Sequence, residues 1–319
     1  MVMFMPPERA FRVGFLLIDG FALMSYSAVV EPLRAANLLA GRKFYDIRHI
    51  PAAGARAVSS SGAIIEATAR LGKHIDFDLV LVVAGGDPTA FRDANVFHWL
   101  RQLSRRGVYL GGVSGGPVIL ASAGLMNGRR MTVHWEHAAA LAEISPALMV
   151  ERSLYVMDRD RITCAGGIAP LDMMHALLTE HHGSGFARRV SDWFMHTEIR
   201  PSGGPQRAGL VERYGTTSPA VILAIEAMEN HVADPLDLGQ LAGFADLGRR
   251  QLNRLFRDKL GRSTMVFYRD LRLEIARKFL TQSPLTITEI ALATGFASSA
   301  HFSNSFSRRY GVTPSSLRP

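Results

Sequence analysis

A repeat in the last third of the chain constrains its fold most. Leu241-Ala-Gly-Phe-Ala-Asp-Leu247, followed by Arg249-Arg-Gln-Leu-Asn-Arg-Leu-Phe256, returns as Ile290-Ala-Leu-Ala-Thr-Gly-Phe296, followed by Ser299-Ala-His-Phe-Ser-Asn-Ser-Phe306. The first segments align at an offset of 49 and the second at 50, so one residue is inserted between them. Asp237-x-x-Gln240 and Thr286-x-x-Glu289 have the spacing of a capping box at the head of each copy. Leu252 with Phe256, and Phe302 with Phe306, place apolar side chains at i and i+4 on one helix face. Gly295 stands where a helix has to end and turn, a place that favours positive φ. Two helix–turn–helix units follow from this pattern. After Pro219 no strand pattern returns.

The faces opposite those apolar pairs carry the chemistry. The first copy presents Arg249, Arg250, Asn253, Arg254 and Arg257, and the second Ser299, His301, Ser303, Asn304 and Arg308. Such side chains suit base edges and phosphates, so double-stranded DNA is the expected partner. Charge agrees. The chain has a formal net charge of +8, and residues 206–319 hold 15 Lys and Arg against 10 Asp and Glu. Between Arg249 and Lys278 the count is 10 against 3. A basic cluster of this kind favours a polyanion, since phosphate contacts supply most non-specific affinity. Between the copies, Met265 to Thr281 reads as a connecting helix of roughly 25 Å. Such a connector can hold two recognition helices in adjacent major grooves, about 34 Å apart.

The segment 219–319 resembles the AraC-type DNA-binding domain. The resemblance rests on Leu241-Ala-x-x-Ala, Arg250-x-Leu-x-Arg-x-Phe256, Leu271-Arg-Leu-Glu-x-Ala-Arg277, and the closing Glu289-Ile-Ala…Gly-Phe…His-Phe-Ser…Phe…Arg-Tyr-Gly-Val-Thr-Pro314. It implies two helix–turn–helix units on a promoter or operator. Two residues depart from the family pattern. Asn304 stands where arginine is common, and Gly248 where a serine cap is common. The first unit is therefore expected to carry the main base readout.

The first two hundred residues read differently. Phe11–Ile18, Phe44–Ile50, Asp78–Ala84, Val108–Val113 and Arg161–Ala165 read as strands. Helical stretches lie between them, at Ser27–Leu39, Asn95–Arg106, after Ser114 through Ala123, and at Pro170–Glu180. Near-continuous apolar strands alternating with helices predict a mostly parallel, flavodoxin-like sheet covered by helices on both faces. The fold class is thus α/β followed by an all-α domain. Residues 200–207, Arg-Pro-Ser-Gly-Gly-Pro-Gln-Arg, are rich in breakers and poor in apolar residues. The expected division is a domain over 1–199, a linker over 200–218 and a DNA-binding domain over 219–319.

Leu110-Gly-Gly-Val-Ser-Gly-Gly-Pro-Val-Ile-Leu-Ala121 runs from a buried strand through glycines straight into a helix. That is the layout of a nucleophile elbow, with an exposed turn residue and amides pointing beside it. Residues 10–190 resemble the PfpI-like branch of the class I glutamine amidotransferase-like fold, which has cysteine at the elbow. Supporting pieces are Glu31, Ala84-Gly-Gly-Asp87, Ala123-Gly-Leu-x-x-Gly-Arg129 and Thr132-x-His-Trp-Glu136. Here Ser114 replaces the cysteine. A serine needs an adjacent base, and Gly115, not histidine, follows it. A binding pocket is the favoured reading: Gly86, Ser114 and Gly115 for a carboxylate, Glu31 for a cation, Tyr26 or Trp135 against a quaternary ammonium, with His134 and Glu136 alongside. The alternative is an amidase or other hydrolase using Ser114 and His134, with a regulatory DNA-binding tail.

The pairing of a PfpI-like with an AraC-type domain resembles a group of bacterial activators. Phe21-Ala-Leu-Met-Ser-Tyr-Ser-Ala-Val-Val-Glu-Pro-Leu-Arg-Ala-Ala-Asn37 is similar to the subgroup sensing arginine, glycine betaine and carnitine. The resemblance implies a small amine or amino-acid effector, RNA polymerase as a partner, and no enzymatic turnover; a homodimer stays open. No cofactor or metal is expected, since the single Cys164 gives neither a disulfide nor a cysteine cluster. The amino-terminal stretch lacks a signal-peptide pattern, and no apolar run is long enough to span a bilayer, so the expected compartment is the cytoplasm.

Overall fold

The computed structural model describes residues 9–207, 209–283 and 285–318. The first eight residues, on which part of the amino-terminal expectation falls, lie outside the described range. Two compact units divide between Gln206 and Arg207.

The first unit opens with β1 (Phe11–Leu17), α1 (Leu23–Ala40) and β2 (Tyr45–Pro51). A hairpin, β3 (Arg56–Val58) and β4 (Ile64–Glu66), precedes β5 (Leu79–Ala84), α2 (Ala94–Arg105), β6 (Tyr109–Ser114) and α3 (Gly116–Ser122). Then come β7 (Arg130–Thr132), α4 (Trp135–Ile144), β8 (Met149–Glu151), β9 (Tyr155–Asp158), β10 (Arg161–Cys164), α5 (Ala169–His182) and α6 (Ser184–Trp193). The main sheet runs β2-β1-β5-β6-β10-β9. Its first five strands are parallel and β9 is an antiparallel edge. This is the flavodoxin-like order, in which sites form at the carboxyl ends of the strands.

The strands read as unbroken apolar runs because both faces are covered. Leu79, Leu81 and Val83 of β5 pack with α1 and α5 in one core, and Val80, Val82 and Ala84 pack with α2 and α3 in the other. Alternation along the strand sends successive side chains to opposite layers, so every position must be apolar. Helix α2 starts where Asp93 accepts hydrogen bonds from the amides of Asn95 and Val96. The β3–β4 hairpin, the parallel β7–β8 pair and α6 lie outside the sequence reading. Three-residue strands with exposed ends carry no readable period.

The breaker-rich stretch is not a free linker over 200–218. Residues up to Gln206 are hydrogen-bonded to the first unit, and α7 (Leu210–Tyr214) belongs to the second. Leu210 and Tyr214 pack on the second core, and Arg213 forms a two-point ion pair with Glu229 at 2.8 and 3.0 Å. Pro and Gly marked broken secondary structure there, but not a lack of side-chain anchors.

The second unit continues with α8 (Pro219–Asn230), α9 (Leu238–Phe244), α10 (Arg249–Leu260), α11 (Thr264–Gln282), α12 (Ile287–Ala293) and α13 (Ser299–Tyr310). Leu241, Leu252, Phe256 and Tyr268 are among its fully buried residues. Helix α11 has 19 residues, a length of roughly 28 Å. Among the described residues no helix is long and apolar enough to cross a membrane.

Candidate nucleic-acid interface and ligand pocket

Both helix–turn–helix units are built from the signals read in the sequence. Asp237 and Gln240 close a capping box on α9, and Thr286 and Glu289 close one on α12. The loop between α9 and α10 is one residue shorter than that between α12 and α13. Gly295 has φ +69°, and its counterpart 49 residues earlier, Asp246, has φ +50°. One turn thus uses glycine and the other an aspartate, a residue that tolerates this region better than most. Gly248 offers α10 no side-chain cap, but Gln251 Oε1 accepts from its amide at 3.1 Å. Ser298 caps α13 through the His301 amide.

Arg272 of α11 fixes the second turn. Its guanidinium donates to the carbonyls of Thr294 (3.2 Å) and Gly295 (2.8 Å) and lies over the Phe296 ring at 4.7 Å. Those carbonyls end α12 and would otherwise need water. Arg272 therefore has a structural role, bracing the turn of the second helix–turn–helix.

The first recognition helix sorts its polar residues into two groups. At about 100° per residue, Arg250, Arg254 and Arg257 fall within about 60° of one another. All three are exposed, and among the described residues none has an ion-pair partner. Asn253, expected on that face, is half-buried, and Arg249, though exposed, makes a contact within the protein. The Arg249 guanidinium covers Gly239, 2.4 Å from where a Cβ would stand, beside Asp237. Asn253 Oδ1 accepts from Thr264 N at 3.0 Å and so starts α11. In α13 the positions matching Arg250, Arg254 and Arg257 are Ala300, Asn304 and Ser307. His301 and Arg308 are exposed but lie roughly 80–100° round the helix from Ala300. His301 packs edge-on against Phe296. Ser299 and Ser303 are half-buried. Ser307 escaped the sequence reading because a serine among serines carries no signal.

In the first unit, β6 delivers Ser114 to the sheet's carboxyl end at φ +60°. Holding a non-glycine residue there costs energy, and such strain persists where surroundings impose it. The surroundings are tight. A Cβ on Gly116 would lie 2.0 Å from Val82 O, one on Gly112 2.4 Å from Pro117 N, and one on Gly166 2.8 Å from Ser114 Cβ. Ser114 is 8% exposed, and its hydroxyl makes no hydrogen bond with a described residue. Gly115 donates to Ala84 O and rests against Pro88, so Asp87 comes to the elbow; Gly86 turns that strand end at φ +61°.

Helix α4 brings the second part. His134 caps it, Nδ1 accepting from Glu136 N at 3.3 Å, with Trp135 5.3 Å from its ring. His137, one turn on and 5% exposed, packs 5.8 Å from His134 and is held within electrostatic range of Glu136 and Asp87. Its Nδ1 is buried with no hydrogen-bond partner among the described residues.

Two expected pocket residues lie elsewhere. Tyr26 is 6% exposed and sits between Phe15 and Phe21, its hydroxyl on His49 Nε2 at 3.1 Å. Burial, and then Glu31, push its phenol up to about 12. It is a core residue, not a wall for a ligand. Glu31 is held by Arg34 at 2.6 Å, one turn along α1, so its cation is supplied by its own helix. The residue of α1 that does reach the elbow is buried Ser25, whose Oγ accepts from Gly167 N at 2.8 Å.

Residues 11–180 match the DJ-1/PfpI family, and residues 241–319 match a helix-turn-helix domain. The HTH-type transcriptional regulator GlxA of Rhizobium meliloti is 48% identical over 308 residues, 96% of this chain and 95% of that protein. The chain belongs to the AraC-type transcriptional regulators that carry a DJ-1/PfpI domain. The HTH-type regulator CdhR of Pseudomonas aeruginosa is 40% identical, over 95% of this chain and 90% of that one. Among solved structures, an AraC family transcriptional regulator from Pseudomonas putida matches with a TM-score of 0.53 and 27% identity, over 58% of this chain and 99% of that one. In this regulator the helix–turn–helix region is the DNA-binding part, and the first unit has the DJ-1/PfpI fold.

His137 and Asp87 were legible in the regulator's sequence only in part. His134-Trp-Glu-His137 places two imidazoles one helical turn apart, a spacing that could have marked both. His137 has a testable pH signature. Burial, then His134, push its pKa from 6.5 down to about 4, against the opposing pull of Glu136 and Asp87. Its stabilisation is complete above pH 6.5 and is lost as pH falls toward 4. The loss should reach about 2 kcal/mol by pH 5. Melting of wild type and His137→Leu at pH 7 and pH 5 checks this. The wild type should lose more stability than the variant on acidification; equal losses would assign the effect to other groups.

Proposed function

We propose that the first unit of this regulator is a ligand sensor without turnover. It binds a small amine or amino-acid effector at the elbow and adjusts DNA engagement by the second unit. The single observation that carries the reading is the strained, buried Ser114, whose hydroxyl makes no hydrogen bond with a described residue. His134 spends its Nδ1 lone pair on the Glu136 amide, so a neutral ring carries its proton on Nε2 and presents a donor there. A serine hydrolase needs an acceptor at that place. Gly86, Ser114, Gly115, His134, Trp135 and Glu136 remain in the proposed site, joined by Asp87 and His137. The orphan imidazole nitrogen of His137 supports a polar ligand atom there.

A ligand shifts a regulator only through unequal affinity for its two arrangements. We assign the protein as an activator in the cytoplasm, contacting RNA polymerase. The resemblance to the subgroup sensing arginine, glycine betaine and carnitine supports the effector class. Thermal shift of the full chain against those three compounds and the standard amino acids tests the sensor. One of them should raise the melting temperature of the wild type and not of Ser114→Trp, which fills the elbow. Saturation at 100 times Kd corresponds to about 2.7 kcal/mol. Ester or amide turnover that vanishes in Ser114→Ala would overturn the reading in favour of a hydrolase.

A further inference from the structure

The chain leaves the first unit through a segment with no helix or strand but an unusual density of side-chain anchors. Met195, at φ +56°, turns the chain back at the end of α6. His196 Nε2 then donates to Asp172 Oδ1 at 2.9 Å. Arg200 donates to the same carboxylate three times, through its amide and through Nε and Nη2, at 2.6–2.9 Å. Asp172 is completely buried in the first turn of α5. Further on, Ser202 O accepts from Leu154 N at 2.7 Å, and Gly204 lies close against the Leu154 side chain. At the end, Gln206 Nε2 is within hydrogen-bond distance of Ser153 O (2.7 Å), Thr132 Oγ1 (3.0 Å) and Val133 O (3.1 Å). The next residue begins the second unit.

Both anchors sit one step from the elbow. Val133, held by Gln206, directly precedes His134, the cap of α4. Asp172 lies in the helix that starts from Gly166–Gly167, and Gly166 is packed on Ser114. A built strap of this kind has a reason to exist if it carries something. Polar groups with many mutual hydrogen bonds have discrete arrangements, not a continuum, so they pass on small displacements.

We propose that residues 195–206 are a strap that reports the state of the elbow pocket to the junction between the units, with Gln206 as its latch. This rests on the ligand site proposed above. A ligand that moves His134 moves the Val133 carbonyl. That exchanges the Gln206 bonds for water and frees the last residues before the second unit. The Leu154 amide, bonded to Ser202, reports whether the strap is down.

The coupling is tested on the full chain by hydrogen exchange at the Leu154 amide in wild type, His134→Ala, Gln206→Ala and the double variant. Gln206→Ala should raise exchange about tenfold, and His134→Ala should raise it several-fold on its own. In the double variant the two effects should not multiply, because an open latch cannot be opened again. Gln206→Asn, which keeps the amide but shortens its reach, should behave as Gln206→Ala. Multiplying effects, or no change at Leu154 in either Gln206 variant, would overturn the strap. If instead no compound shifts the melting temperature while this cycle holds, the sensor reading fails and the mechanical link stands.

Discussion

Gly295→Ala is expected to cost the second unit about 3 kcal/mol or more, the largest effect of any one-carbon change in that unit. Two penalties add. At φ +69° a residue with a Cβ pays about 1–2 kcal/mol. The new Cβ would also stand 2.5 Å from Pro235 Cγ and 2.7 Å from Val232 O, and neither a proline ring nor a backbone carbonyl yields easily. Asp246 is the internal control. It holds the matching turn at φ +50°, so Asp246→Gly should stabilise by about 1 kcal/mol. Scanning calorimetry of the full chain would resolve the two substitutions as opposite shifts. All three tryptophans lie in the first unit, so fluorescence would miss this transition. A loss below about 0.5 kcal/mol for Gly295→Ala would mean that the turn relaxes freely. The positive φ would then not define it.

Asp172→Ala should have a comparable effect in the first unit. The carboxylate is fully buried and accepts from His196 and, three times, from Arg200. Removing one partner of a buried pair typically costs 3–5 kcal/mol, because the other is left without compensation. The Arg200 side chain is about one-third exposed and can recover some hydration, which places the expectation near the lower end, at about 3 kcal/mol. Tryptophan fluorescence in a urea titration checks it, since Trp193 lies three residues before His196. An unchanged midpoint would show that the strap is held elsewhere.

The fold was legible where burial is one-dimensional. β5 had to be apolar at every position because each side chain enters one of two cores, and the capping boxes of α9 and α12 are local chemistry. The repeat revealed both turns and the inserted residue. The site was less legible because it depends on which way a side chain points. Tyr26 and Glu31 sit on α1 in a stretch similar to amine sensors, yet one faces the core and the other its own Arg34. Asn253 lies between arginines in sequence but is about 40–100° from them around the helix, where it serves α11. The breakers at 200–207 predicted a tether, while Arg200 and Gln206 supply the side chains that tie it down.

These orientations sharpen the account of DNA recognition. Three arginines on one face of α10 oppose Ala300, Asn304 and Ser307 on the matching face of α13. An arginine that makes a bidentate contact with guanine gives both affinity and discrimination, whereas a contact to phosphate gives affinity alone. The first helix–turn–helix, with α10, should therefore dominate sequence choice, and Arg308 should act through the backbone. The most direct test selects a binding site for the full-length protein from random duplexes and then measures affinity and selected sequence for Arg254→Ala. Affinity for the selected site should fall by about 1–3 kcal/mol, and one base position should lose its preference. Arg308→Ala should weaken all sequences alike. Unchanged affinity and an unchanged selected sequence in Arg254→Ala would contradict the claim that α10 reads the operator.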